Sequence, residues 1–258
     1  MSKLALLCMV LALAPASQAG AAPLEASAER YRAPLSEDIG QALAGARTLR
    51  ECLAANDLAG ARRAWIAARV GWERSEVFTS GFVPDLDRDI DAWPDASHGF
   101  HGVEAALFGA GGTGAARETE ALIAHLADLQ AEIVRIDLAP QRLLNGIARL
   151  TFEIGGNKTD GGESRLSGTS LNDMQSNADG IALAWRVIFA EAVETTDPKL
   201  ATAVAAGIAR LQAAVAIPDL RHLDAEKLRG DSEELVALLE RAAPKIGLSK
   251  PMLEEGAR

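Results

Sequence analysis

An all-α fold is predicted by three features of the sequence. Alanine and leucine are abundant within an apolar fraction of 48%, while aromatics make up only 4% with a single tyrosine. That mix suits helices better than sheets, which draw on β-branched and aromatic side chains. Apolar residues recur three and four apart over long stretches, with capping residues ahead of them. No stretch gives a convincing strand pattern, and the connections are short, which favours antiparallel neighbours and hence bundles.

Residues 1–19 read as a leader and not as part of that fold. Lys3 supplies a positive n-region, Leu4 to Ala14 an apolar run, and Ser17-Gln18-Ala19 a small-x-small cleavage site, with Ala21 as a second option. The apolar run is too short for a permanent span. Leu7 and the early position of Cys8 argue against a lipoprotein. No later stretch is long and apolar enough to cross a membrane, so stable membrane insertion is not expected and the expected location is the periplasm. Loss of Lys3 moves the formal charge of −10 to about −11, which disfavours nucleic acid or an anionic membrane as partner and fits a basic or metallic ligand. Cys52 is then the remaining cysteine, so no internal disulfide is expected, and its apolar helical surroundings make it a buried packing residue.

Residues 20–34, with Pro23 and Pro34, read as a loose lead-in. Ser36, backed by Glu37 and Asp38, caps a helix to about residue 55, and Asp57 caps the next. This second helix, to about residue 78, carries Trp65, Ala68 and Trp72 on one stripe and Ile66 and Val70 on its neighbour. Each stripe then meets an acid: Glu76 follows Trp72 by four, and Glu73 follows Val70 by three. A carboxylate continuing an apolar face needs a donor, a cation or water. Either the helix emerges into solvent there or the acids hold a ligand.

Residues 79–97 are expected to be a loop holding five aspartates, Asp85, Asp87, Asp89, Asp91 and Asp95, whose spacing does not match an EF-hand. A third helix opens at Ser97 to Phe108 and stops at the glycines from Gly109 to Gly114. A fourth, about 115–138, places Leu122, Leu126, Leu129, Ile133 and Ile136 at bundle spacing, with His125 beside them as a packing or surface residue. A fifth spans about 140–154. The polar stretch from Gly155 to Thr169 is too long for a mere connector and is a candidate to help form a site, though its glycines lack the P-loop ending. Ser170 is expected to cap a long helix bearing Leu171, Met174, Ala178, Ile181, Trp185 and Ile188, with Asp173 and Asn177 near the same face. Asp197-Pro198 opens another helix, Pro218 follows its end, His222 sits in a charged connector, and Ser232 is expected to cap the last helix.

The chemistry concentrates at His101 and Glu104, two residues spaced by three on the third helix. That spacing stacks an imidazole and a carboxylate on one face, where both could share a metal ion. His98 lies on the same stretch with its role open.

Trp72-Glu73-Arg74-Ser75-Glu76, Ile90-Asp91-Ala92-Trp93-Pro94 and Gly99-Phe100-His101-Gly102-Val103-Glu104 follow in order. With the stretch from Lys158 to Ile181, they make the chain resemble the imelysin-like family, whose signature is Gly-x-His-x-x-Glu. The resemblance implies two packed four-helix bundles with a cleft between them, here about 35–138 and 139–245 within a domain of 20–258. It implies a metal site of His101, Glu104, Glu73 and Asp91, with Glu76 as a further candidate. It also implies a role like that of EfeO-type periplasmic iron-uptake proteins, with an inner-membrane iron permease as partner. The cupredoxin domain of longer EfeO proteins is not recognisable here.

Carboxylates with one imidazole suit iron, manganese or zinc, with iron the leading expectation from the resemblance. No catalytic residue is assigned. The alternatives are a zinc peptidase of imelysin type and a cation-assisted alginate-like polysaccharide binder. A catalytic zinc needs about three protein ligands, an open position and a base. No His-Glu-x-x-His occurs, and Glu104 as a ligand is no longer available as that base.

Overall fold

The computed structural model describes residues 21–91 and 97–253. The expected leader, residues 1–19, therefore lies outside the described residues, as do Trp93, Pro94 and Asp95. Helices account for the regular structure of the described residues, so the chain is all-α.

The first helix, α1 (Ala21–Ala54), begins well before the expected cap at Ser36. Leu24, Ala28, Tyr31, Leu35, Ile39, Ala42, Ala46 and Leu49 follow one another three or four apart, and all are buried. Pro34 removes one helical N–H. The turn before it is tied down from outside, because Arg32 donates to the carbonyls of Ile133 and Ile136, the latter at 2.9 Å. The burial of that stripe explains why the expected lead-in is helical: local composition argued for a loop, and packing overrode it.

Helix α2 (Leu58–Phe82) starts as expected at Asp57, whose side chain accepts from the Gly60 N–H at 2.8 Å. It lies at the centre of the molecule, packed on α1 and against α6 (Pro140–Gly156) and α7 (Ser170–Ala184). Two glycines allow the approach. A Cβ at Gly146 of α6 would overlap the Val77 carbonyl, and one at Gly180 of α7 would overlap that of Arg74. Both partner helices thus sit backbone-close to the segment of α2 that carries Glu73 and Glu76.

The expected loop 79–97 instead contains α3 (Pro84–Ile90). Pro84 occupies the first turn, where its missing N–H is harmless, and Asp85 and Asp87 lie at the positive end of the helix. The run of aspartates is therefore in part a helix start. Helix α4 (Gly99–Glu104) continues through a π-helical turn at Ala105–Gly109, and α5 (Ala115–Glu132) ends earlier than expected. After α7 come a π turn (Trp185–Phe189), α8 (Ala190–Thr196), α9 (Pro198–Val215) and α10 (Ala225–Ala242). Two expected caps are corrected. Ser170 is the first helical residue of α7, and its hydroxyl accepts from the Ser164 N–H and donates to the Gly161 carbonyl. Ser232 is buried within α10, which Asp224 caps by accepting from the Lys227 N–H at 3.0 Å.

Helix α1 packs on both α2 and α5, with α4 on α5, while α6 packs on α10, α10 on α9 and α9 on α7. Their buried apolar side chains form one connected cluster from Leu24 to Ile246. Among the described residues, no helix is long and apolar enough to cross a membrane.

Candidate metal centre

Three consecutive turns of α2 deliver Arg69, Glu73 and Glu76 to one side of the helix, and the first two are fully buried. Arg69 contacts Glu73 directly, donates to Asp91 at 2.6 Å and lies 3.3 Å from Asp173 of α7. The rings of Trp65 and Phe100 flank its guanidinium, 5.8 and 5.4 Å from their centroids. Arg69 is thereby a fixed internal counter-charge, and the acid that follows the Val70 stripe finds its cation one helical turn back.

Asp91, at the end of α3, accepts from the Trp72 indole N–H at 2.7 Å as well as from Arg69. Its Oδ1 lies 3.3 Å from His101 Nε2. The other ring nitrogen, Nδ1, lies 3.3 Å from Glu104 Oε2. The imidazole thus stands between two carboxylates. Burial alone would raise the Asp91 carboxyl, but Arg69, His101 and the Trp72 N–H together hold it below the usual range.

The polar stretch 157–169 and α7 close the other side. Lys158 donates to Glu163 Oε1 at 2.8 Å, to Asn177 Oδ1 at 2.9 Å, to Glu76 Oε2 at 3.1 Å and to Glu73 Oε2 at 3.4 Å. The Asn177 amide in turn donates to the Glu73 carboxylate at 2.9 Å and to Glu76 at 2.8 Å. Ser164 donates to Asp173 at 2.5 Å. Burial pushes the Glu163 carboxyl up to about 7, against the pull of Lys158. Burial also pushes Asp87, on the same cavity, up to about 7.

Some of these groups line a cavity of about 550 Å³, whose wall includes Glu76, Asp91, His101, Glu104, Lys158 and Glu163. One donor atom from each of Asp91, His101 and Glu163 lies within 4.8 Å of the other two, and a second such group comprises Glu73, Glu76, Asp91 and Glu163. Carboxylate oxygens with one imidazole nitrogen are a fitting donor set for iron, manganese or zinc.

The imelysin peptidase family model matches residues 16–243. The chain belongs to the imelysin family. It is 32% identical over 160 residues to the iron uptake system component EfeO of Yersinia pseudotuberculosis, and 31% identical over 160 residues to that of Escherichia coli. Each match covers 58% of this chain and 42% of the relative, so the chain spans less than half the length of those proteins. In three dimensions it resembles a protein from Parabacteroides distasonis described as an iron-regulated protein A precursor, at a TM-score of 0.72 and 17% identity over 90% of this chain and 98% of that one.

In this imelysin chain the five residues singled out by sequence, His101, Glu104, Glu73, Asp91 and Glu76, lie around one polar cluster. They do not present themselves equally. His101 and Asp91 offer donor atoms to a common point on the cavity. Glu104 is turned toward His101 Nδ1 and toward Ser167, whose N–H and hydroxyl both donate to Glu104 Oε1, at 2.8 and 2.7 Å. Glu73 is enclosed by Arg69, Lys158 and Asn177. His98 is exposed at the start of α4. Sequence reasoning did not single out Glu163, which shares the candidate donor group with Asp91 and His101, nor Arg69 and Lys158 as internal cations. A charged Arg69 beside the Trp65 and Trp72 stripe, one turn ahead of Glu73, was the available signal.

Proposed function

We propose that this imelysin chain is a periplasmic metal-binding component of iron uptake. The ion is held at the cavity wall by Asp91, His101 Nε2 and Glu163, while Glu104 orients the imidazole through Nδ1. The observation that carries this reading is the convergence of those three donors within 4.8 Å of one another beside a cavity open to a further ligand or water. Fixing one ring nitrogen with a carboxylate frees the other for a metal, the usual arrangement of ligating histidines. Relatives named for iron uptake favour iron over manganese or zinc as the cargo. On this reading the helices before and after about residue 138 act as two bundles flanking the cleft, and an inner-membrane permease receives the ion.

Calorimetric titration of Fe(II), Fe(III), Mn(II) and Zn(II) into the apo protein tests the assignment. His101→Ala should lose most of the affinity while leaving the helical circular dichroism of the apo protein unchanged. Binding that survives His101→Ala at full strength would remove the imidazole from the site and the reading with it.

A further inference from the structure

Lys158 is the buried lysine among the described residues, and it lies on the polar stretch that lines the cavity. Its ammonium has three N–H groups and four oxygen partners, spread over α2, α7 and its own loop. One partner is shared. Glu163 receives Lys158 on Oε1 and also belongs to the donor group with Asp91 and His101, while its Oε2 is buried without a hydrogen-bond partner. Arg69 differs from Lys158 in kind, because two aromatic rings and the carboxylates of Glu73, Asp91 and Asp173 fix it in place, with Glu163 Oε1 farther away at 3.8 Å. Lys158 has a flexible stem, and two of its acceptors, Glu76 and Glu163, face the cavity.

We infer that Lys158 is a tethered cation that competes with the incoming metal ion for Glu163, and so sets how readily the ion enters and leaves. This rests on reading Asp91, His101 and Glu163 as the metal centre. An ammonium 2.8 Å from Glu163 neutralises a ligand charge and repels a second cation at close range. An ion that takes Glu163 must displace Lys158 Nζ or bind against that repulsion. A lysine serving only to pin the loop would act in the opposite direction, because its removal would misplace Glu163 and weaken binding. The sign of the effect separates the two roles.

The test titrates Zn(II) and Fe(II) into the full apo wild type, Lys158→Met and His101→Ala at one fixed pH. Methionine keeps the unbranched, flexible stem and removes the charge. Lys158→Met should bind about tenfold or more tightly than wild type, and its apo thermal midpoint should be low and recover on adding the ion. Equal or weaker binding by Lys158→Met, with wild type still binding through His101, overturns the inference and leaves the metal centre standing. Absence of binding in every protein, or binding untouched by His101→Ala, removes the metal centre and the inference together. If Lys158→Met does not fold without metal, the wild type answers directly. A buried ammonium exchanges slowly with water, so Lys158 should give a resolved side-chain signal in ¹⁵N-lysine NMR, unlike the exposed lysines. Saturating Zn(II) should shift or abolish that signal, and an unmoved signal overturns the inference.

Discussion

Ser167 grips one oxygen of Glu104 twice, with its backbone N–H at 2.8 Å and its hydroxyl at 2.7 Å, and so ties the polar stretch 157–169 to α4. The other oxygen faces His101. One carboxylate thus positions both the imidazole and the loop that supplies Lys158 and Glu163. Burial tends to raise the Glu104 carboxyl, but these hydrogen bonds hold it below the ordinary value. A depressed carboxyl stabilises the fold above its unfolded value and loses that contribution as pH falls through the folded value.

Ser167→Ala should therefore cost about 1.5–3 kcal/mol, the range for a hydrogen bond to a charged group. The loss should be present at neutral pH and fade in acid as Glu104 takes up a proton. Urea unfolding of both proteins at several pH values measures it. An equal difference at every pH would mean that the hydroxyl contributes packing alone.

Arg69→Met should be among the most damaging single changes, because it leaves Glu73, Asp91 and Asp173 buried around an apolar side chain. Breaking a buried ion pair from one side costs about 3–5 kcal/mol. Thermal unfolding should show a large drop, partly reversed when Glu73→Gln is added. If the second change brings no recovery, the damage comes from lost packing against Trp65 and Phe100.

Asp38 gives a pH signature at a carboxyl outside the cavity lining. It is buried on α1 with Arg74 Nε 3.2 Å away, and burial pushes its carboxyl up to about 6. A carboxyl raised in the folded state costs stability when ionised, so the cost is present above pH about 6 and is relieved toward pH about 4. Wild type should gain on Asp38→Asn over that interval, by at most about 3 kcal/mol. Chemical denaturation of the two proteins at pH 4, 5, 6 and 7 tests the slope, and a gap that widens in wild type's disfavour as pH falls contradicts it.

His98 and His101 provide an internal control. His98 is exposed and makes no side-chain cap to α4, whereas His101 is 3% exposed between two carboxylates. His98→Ala should leave metal affinity within about twofold and stability within about 0.5 kcal/mol, as for most surface changes. Calorimetry on both alanine variants settles which histidine serves the ion. The reverse pattern would mean that the wrong face of the stretch has been assigned.

Cys52→Ser is expected to leave ion binding unchanged. The thiol is free and half-buried beside the apolar cluster, well outside the group of candidate donors. Stability should change by no more than about 1–2 kcal/mol. Loss of binding with the helical signal intact would point to a thiolate ligand.

What the sequence by itself determined follows from helical period and capping, which act over a few residues. The all-α class, the start of α2 at Asp57 and the stacking of His101 with Glu104 were all legible from spacings of three and four. The same local logic failed where packing outweighed it. Residues 21–34 are helical because Leu24, Ala28 and Tyr31 continue a buried stripe, and Arg32 is held by carbonyls about a hundred positions away. The centre itself was only half legible. Spacing could pair His101 with Glu104, yet only tertiary structure decided that Asp91 meets Nε2 and that Arg69 neutralises Glu73. It also decided that Lys158 reaches across to α2 and α7. Those contacts join residues up to 85 apart along the chain for Lys158 and 104 apart for Asn177 with Glu73. They exist because Gly146 and Gly180 let two helices lie against α2 at backbone distance, and charges brought that close in a buried space must pair.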